Sequence, residues 1–348
     1  MESNYTEGKS HVCSTVESGG PAVPAFMFGA GILGNVLALL LLGIRRRNQS
    51  PYLFHILVTA LMITDLLGTF SVSPLVIAAY TKNESLVGMS GDNTVCNHFG
   101  FSMTFFSLVT FAILLSMALE RWLAIGHPYF YERNTSKRCG YIAISFIYLV
   151  CVLFCILPFV GAGRYVQYFP GTWCFIDMHA SESKHRVFAL IYATCISIMI
   201  ILTVICYVSV IYHLILMYRR RKTTQGSIRR TRGHRSLSIA QEGQHLILLG
   251  VMTVAFIVCS LPLVIRGYIN FWSTKKRDII DRLALRFLSL NPIIDPWLFI
   301  ILNPSVLRFL WGKLKKAPSP TPHPAKASFV RPAPRSPPME LHKPAVLP

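Results

Sequence analysis

Seven apolar windows, each long enough to make a membrane-spanning helix, constrain this chain more than any other feature. They run Ala22–Ile44, Tyr52–Tyr80, Cys96–Gly126, Tyr141–Gly161, Val187–Met217, Leu246–Phe271 and Leu283–Leu302. About 20 mostly apolar residues at roughly 1.5 Å rise each cross the hydrocarbon core of a bilayer. Each window is a continuous run rather than the alternating segments of a membrane barrel, and a helix satisfies its own backbone groups in lipid. The expected fold is therefore an all-α membrane protein, a bundle of seven transmembrane helices. Composition agrees, with 53% hydrophobic and 14% charged residues and a mean hydropathy of +0.48. A net charge of +19 on a soluble domain would suggest nucleic acid. Here the basic residues cluster between apolar runs, so they point to membrane orientation and no nucleic-acid partner is expected.

Orientation follows from where those clusters fall. Arg45, Arg46 and Arg47, then Arg133, Lys137 and Arg138, then Arg219 to Lys222 lie on one side, which the positive-inside rule makes cytoplasmic. Lys275, Lys276 and Arg277 in the last outer loop run against the rule, and the first span with its three arginines is given the greater weight. Residues 1–21 form an extracellular N-terminus without a cleavable signal, so the first span acts as its own insertion signal. Two sequons, at Asn4 and Asn83, fall outside and are candidate glycan sites, whereas Asn134-Thr135-Ser136 falls inside. After the bundle of 22–302, residues 303–316 read as a short amphipathic helix on the inner leaflet. Residues 317–348 carry ten prolines in 32 positions and read as a disordered tail.

Charges inside a bilayer are costly, so each needs a role or a partner. They are Asp65 in the second span, Glu120 and Arg121 ending the third, Arg266 in the sixth, and Arg286 and Asp295 in the seventh. Arg266 lies near the outer end of its span, where snorkelling to water is expected. Arg286 precedes Asp295 by nine residues, about 13 Å along a helix axis, so the two do not neutralise each other. A guanidinium held between helices would grip a carboxylate through two parallel hydrogen bonds, which points to an anionic small ligand. The competing role is snorkelling or pairing with an outer-loop acid such as Asp281. Asp65 and Asp295 share mid-membrane depth and could share a proton, hold a sodium ion, or form a structural hydrogen-bonded pair. The third span has no acid between Cys96 and Leu119 to pair with an amine ligand, and the seventh has no lysine for a retinal Schiff base.

Gly34-Asn35, Asp65, the Glu120-Arg121-Trp122 triplet, Pro262 and Asp295-Pro296-Trp297-Leu298-Phe299 together resemble rhodopsin-class G-protein-coupled receptors. The resemblance covers all seven spans. Pro170-Gly171-Thr172-Trp173-Cys174-Phe175, Leu285-Arg286-Phe287 and the Asp-Pro-Trp motif are similar to the signatures of prostanoid receptors. Met103-Thr-Phe-Phe-Ser-Leu, Gly126-His-Pro-Tyr-Phe-Tyr, Tyr165-Val-Gln-Tyr, His245-Leu-Ile-Leu-Leu and Cys259-Ser-Leu-Pro resemble the branch that couples to stimulatory G proteins. Within it the wording is nearest the prostaglandin E receptors of subtype two, with prostacyclin and prostaglandin D receptors sharing much of it.

The resemblance implies a prostanoid ligand whose carboxylate meets Arg286, aided by Tyr80 and Thr172, with Ser289, Trp173 and Met27 completing the ligand set. It implies a disulfide between Cys96 and Cys174, which on position alone are candidates for a staple over the bundle mouth. Relatives often carry cysteine where Phe169 stands, so Cys13 has no evident partner. Glu120 and Arg121 are implied to serve G-protein coupling, with cyclic AMP rising through a stimulatory G protein, and arrestin and receptor kinases are implied further partners. Ser260 stands where most of the class carry tryptophan, so another packing change must link ligand to the motion of helices that bend at Pro262 and Pro296. The basic stretch from Arg219 to Gln244 serves topology and lipid headgroups, or G-protein selection; Arg229-Arg230-Thr231 and Arg235-Ser236-Leu237-Ser238 are candidate kinase substrates. No cofactor and no enzymatic activity are expected. A transporter lacks the inverted repeat and broken helix pair it would need, and no protease motif accompanies Asp65 and Asp295.

Overall fold

The computed structural model describes residues 15–16, 19–45, 52–223, 232–272 and 278–302. Asn4, Cys13, the amphipathic stretch 303–316 and the tail 317–348 lie outside the described residues. The elements are α1 (Ala22–Arg45), α2 (Tyr52–Lys82), α3 (Thr94–Gly126), a short α4 (Pro128–Asn134), α5 (Lys137–Ile156), α6 (Ser183–Thr223), α7 (Arg232–Trp272), α8 (Asp278–Leu288) and α9 (Asn291–Leu302). Seven spans are long and apolar enough to cross a membrane: α1, α2, α3, α5 with its 3-10 extension, α6, the Leu246–Trp272 part of α7, and α8 joined to α9. The seven expected windows match them closely.

Burial ranks the helices. In the most apolar window of α3, 72% of residues are buried, against 11% in the fourth span, so α3 is the central post and α5 a lipid-facing strut. Helix α3 packs on α2, α5 and α6, and α1 packs on α2 and α9. Polar side chains join the spans where apolar packing alone would let them slide. Asn35 Nδ2 donates to the carbonyls of Gly31 and Pro292, both at 2.9 Å, which ties α1 to the seventh span.

Two features depart from the sequence reading. The seventh span is not one helix, because it is interrupted at Ser289–Leu290 between α8 and α9. Pro292 explains the break: it lacks the N–H that would bond the carbonyl of Leu288, and its ring crowds that turn. The loop before α6 also contains a hairpin, β1 (Tyr165–Tyr168) antiparallel to β2 (Trp173–Ile176), with Tyr165 opposite Ile176 and Tyr168 opposite Trp173. Its turn requires Gly171, whose φ of 103° disfavours any side chain.

The hairpin is fastened on three sides. Cys174 is disulfide-bonded to Cys96 at the start of α3. Leu86 N donates to Gly171 O at 2.9 Å and Val87 N to Gln167 Oε1 at 2.9 Å, which holds it to the loop after α2. Tyr165 OH donates to Cys155 O at 3.0 Å, and the Tyr165 ring lies against Gly100, where a Cβ would come within 2.6 Å of it. The hairpin thereby forms a buried lid over one end of the bundle.

Candidate functional site

A cavity of about 850 Å³, counted to its open mouth, runs beneath this lid among α1, α2, α3, α7 and the seventh span. Its concave form, with apolar walls and a few polar groups, suits a small-molecule ligand. Trp173 of the hairpin stands at its upper end, with Pro24 and Met27 of α1 and Ser289 of the seventh span on its walls. Val72, Val76, Met103 and Phe106 make the walls apolar, while Ser102 and Ser107 add hydroxyls. The floor reaches Thr64, Asp65, Thr110 and Phe256. Val76 and Asp65 both line it and are eleven residues apart on α2, so it is about 16 Å deep. A long apolar slot of this kind accepts flexible hydrocarbon chains.

The rim carries the polar groups. Arg282 stacks its guanidinium 4.8 Å from the centroid of the Phe169 ring, in the hairpin turn. Ser289 Oγ donates to Arg286 O at 2.8 Å. Arg282, Arg286 and Ser289 recur at four- and three-residue spacing, which puts the Arg286 backbone one turn from Arg282, Phe169's partner, and one turn from the cavity-lining Ser289. The Arg286 side chain is exposed and outside the cavity lining, which corrects the expectation of a guanidinium held within the bundle. The reason is electrostatic: no ion pair compensates Arg286 among the described residues, and an unpaired charge is not buried. Thr172 is fully buried with a hydroxyl that has no partner among the described residues. Tyr80, half-buried at the end of α2, lies against Gly19. Of the six expected ligand residues, Met27, Trp173 and Ser289 line the cavity, and Arg286, Thr172 and Tyr80 lie outside its lining.

Asp281, the alternative partner for Arg286, is committed elsewhere. Its Oδ1 accepts from Arg266 Nε at 2.6 Å and from Asn270 Nδ2 at 3.2 Å, and its Oδ2 lies 2.7 Å from His179 Nε2. Arg266 is only 6% exposed, so the expectation that it snorkels to water is overturned. A carboxylate buried where α7 meets α8 demands a cationic neighbour, and Arg266 supplies it. The readable signal is position: Arg266 and Asp281 flank the same connecting loop, and His179 adds a residue that sequence reasoning missed.

At mid-depth, Asp65 and Asp295 are 3% and 1% exposed. Thr110 Oγ1 donates to Asp65 Oδ1 at 3.3 Å, whereas Asp65 Oδ2, both Asp295 carboxyl oxygens and Asn35 Oδ1 have no hydrogen-bond partner among the described residues. Four buried acceptors without donors call for protons or a cation. The described residues contain no cluster of three or more His, Cys, Asp or Glu that would suit a higher-charge metal. Above the pair, Asn291 Nδ2 donates to Ser260 Oγ at 2.9 Å, so the hydroxyl that replaces the usual tryptophan bonds the seventh span to α7. Pro262 lies within α7 two residues on.

At the far end of α3, Arg121 grips Glu120 through Nε and Nη2, both at 2.5 Å, and is 1% exposed. Its guanidinium also lies 4.9 Å from the centroid of the Phe54 ring on α2. Tyr131 OH of α4 donates to Glu120 Oε1 at 2.6 Å, a third member from the Gly126-His-Pro-Tyr-Phe-Tyr stretch whose contact the sequence did not indicate. Trp122 Nε1 donates to Ser209 Oγ on α6 at 2.9 Å, and Tyr207 OH lies 2.9 Å from Thr253 Oγ1 on α7. Hydrogen bonds thus link α3 to α6 and α6 to α7, and the ion pair at the end of α3 is buried.

Known proteins give this arrangement a family. Residues 34–299 match the model of the 7 transmembrane receptor (rhodopsin family). The human prostaglandin E2 receptor EP2 subtype is 47% identical over 309 residues, 83% of this chain and 84% of that protein. The mouse prostacyclin receptor is 44% identical over 84% of this chain and 70% of its own length, and the mouse prostaglandin D2 receptor 40% over 89% and 94%. Squid rhodopsin superposes with a TM-score of 0.72 at 17% identity, covering 86% of this chain and 87% of its own, which bears on the fold alone. The chain belongs to the rhodopsin family of seven-transmembrane receptors, in its prostanoid-receptor branch.

Proposed function

We propose that the chain is a plasma-membrane receptor for prostaglandin E2 that acts through a stimulatory G protein to raise cyclic AMP. The observation that carries this reading is the pairing of a deep apolar slot with a guanidinium, Arg286, that has no ion pair among the described residues and lies three residues before Ser289 of the slot's lining. A lipid acid has the matching form: one carboxylate for Arg286, and chains for the slot between Met27, Trp173 and Ser289. The Thr172 hydroxyl, buried without a partner among the described residues, is a donor in reserve for the same carboxylate, and Tyr80 at the end of α2 completes the polar set. The E2 relative leads the prostacyclin and D2 relatives in identity, 47% against 44% and 40%, which favours E2 among the three.

In this reading the hairpin end faces outside and the Arg121 end faces the cytoplasm, where the basic residues gather. Asn83 is then an outer glycan site, exposed at the turn after α2. Ligand seated on Phe256 shifts α7 against α3, Arg121 leaves Glu120, and the cleft takes the C-terminal helix of a G-protein α-subunit, with arrestin and receptor kinases as later partners. Asp65 and Asp295 take a proton or a sodium ion in the resting state. Sodium titration of agonist binding checks this, since a sodium effect that persists in Asp65→Asn would exclude it.

The main test is cyclic AMP accumulation in cells expressing the wild type and Arg286→Ala at matched surface density, with prostaglandins E2, D2 and I2. The expected result is an E2-led response with a potency at least tenfold lower in the variant. A variant as potent as wild type would refute the anchor.

A further inference from the structure

Two guanidiniums stand at the hairpin end in opposite electrostatic states. Arg286 is exposed and has no ion pair among the described residues, whereas Arg266 is buried and bonded to Asp281. Asp281 is the nearest acid to Arg286 along their shared helix, five residues and about 7.5 Å of rise away. The two side chains leave α8 on different faces, so the carboxylate acts on the ligand site through its field rather than by contact. Left without a cation beside it, that carboxylate would offset part of the positive potential Arg286 offers an anionic ligand.

Both oxygens of Asp281 are instead occupied. Arg266 Nε and Asn270 Nδ2 of α7 hold Oδ1, His179 of the loop after the hairpin meets Oδ2, and the residue is fully buried. We infer that Arg266 is a positioning residue for ligand recognition: by sequestering Asp281 it keeps Arg286 uncompensated and open to a ligand carboxylate. It acts through Asp281 rather than by touching the ligand, and it rests on the reading of Arg286 as the carboxylate anchor. The effect is specific to charge. An Asp281 whose charge Arg266 no longer offsets, at roughly 10 Å in an effective dielectric near 20, weakens the binding of a carboxylate by on the order of tenfold. An uncharged ester of the same ligand does not sense it.

The experiment measures binding of prostaglandin E2 and its methyl ester to full-length wild type, Arg266→Gln, Arg266→Lys, Arg266→Gln/Asp281→Asn and Arg286→Ala in membranes, at quantified surface expression. Arg266→Gln is expected to weaken the acid about tenfold while leaving the ester unchanged. The lysine variant stays near wild type, and the double variant regains acid affinity because the offending charge is gone. Equal losses for acid and ester in Arg266→Gln, or no recovery in the double variant, would overturn the inference and leave Arg266 a packing residue. Should Arg266→Gln fail to reach the surface, the double variant decides alone: wild-type acid affinity supports the inference, and a lost acid preference overturns it. Arg286→Ala separates the two readings. If it keeps the acid-over-ester preference of wild type, the anchor falls and the inference with it; if that preference disappears while the Arg266 variants break the pattern, only the inference falls.

Discussion

Single residues carry the chemistry of both ends, and their cost in lipid is what makes them legible. Arg286 is expected to tolerate lysine poorly, because an ammonium offers a point charge where a guanidinium offers a planar fork. Arg286→Lys should weaken prostaglandin E2 about tenfold, between wild type and alanine, in competition binding. At the other end Tyr131 adds a third hydrogen bond to the Glu120–Arg121 pair. Its loss in Tyr131→Phe removes about 1 kcal/mol from the closed state, so ligand-free cyclic AMP should rise roughly fivefold at equal expression. An unchanged basal level would mean that Tyr131 does not hold the closed state. Glu120, Arg121, Asp65 and Asp295 stand out in the sequence because an apolar helix has no bland use for a charge. Tyr131 is visible only as the end of the Gly126-His-Pro-Tyr-Phe-Tyr stretch and His179 not at all, because each comes from a connecting segment whose fold the sequence pattern does not specify. Arg266 is visible in the sequence but not its role, since depth alone does not distinguish a snorkelling side chain from one with a partner on the next helix.

Elements differ in how plainly their cause is written. The seven spans follow from continuous apolar runs, and all seven windows match helices of the structure. The hairpin is not legible in this way, because two four-residue strands leave no period to read, and their turn becomes meaningful only through Gly171 and its φ of 103°. A side chain there meets both an unfavourable backbone and Ser85 Cβ at 3.0 Å. Gly171→Ala is therefore expected to cost about 1–2 kcal/mol locally and to loosen the turn that presents Thr172 and Phe169. The measurement is ligand dissociation from purified receptor, expected to quicken severalfold; an unchanged rate would show that the lid does not limit escape. The break in the seventh span belongs to the same scale. Pro292 ends the run of α8, and the offset it creates leaves Asn291 facing Ser260 and lets Pro292 O accept from Asn35.

At the scale of the whole molecule, an aromatic contact at the cavity floor joins α7 to the central α3. Phe256 lines the cavity and meets Phe111 of α3 edge to face, with ring centroids 4.3 Å apart. Below it, Tyr207 and Thr253 tie α6 to α7, and Trp122 and Ser209 tie α3 to α6. In the proposed mechanism a ligand chain reaching the floor moves Phe256, and the buried Glu120–Arg121 pair opens as these helices part. Binding at one end must then change affinity at the other by the same factor, because coupling between two sites is reciprocal. Adding a peptide that copies the C-terminal helix of the stimulatory G-protein α chain should raise prostaglandin E2 affinity of the wild type by roughly five- to a hundredfold, the usual span of such coupling. In Phe256→Ala both ends should still bind, the ligand at the affinity of the uncoupled state, and the ratio of affinities with and without peptide should fall toward one. A variant that keeps the full ratio would place the linkage elsewhere, in the Asn291–Ser260 bond or the mid-depth acids, and would leave Phe256 as a wall of the cavity only.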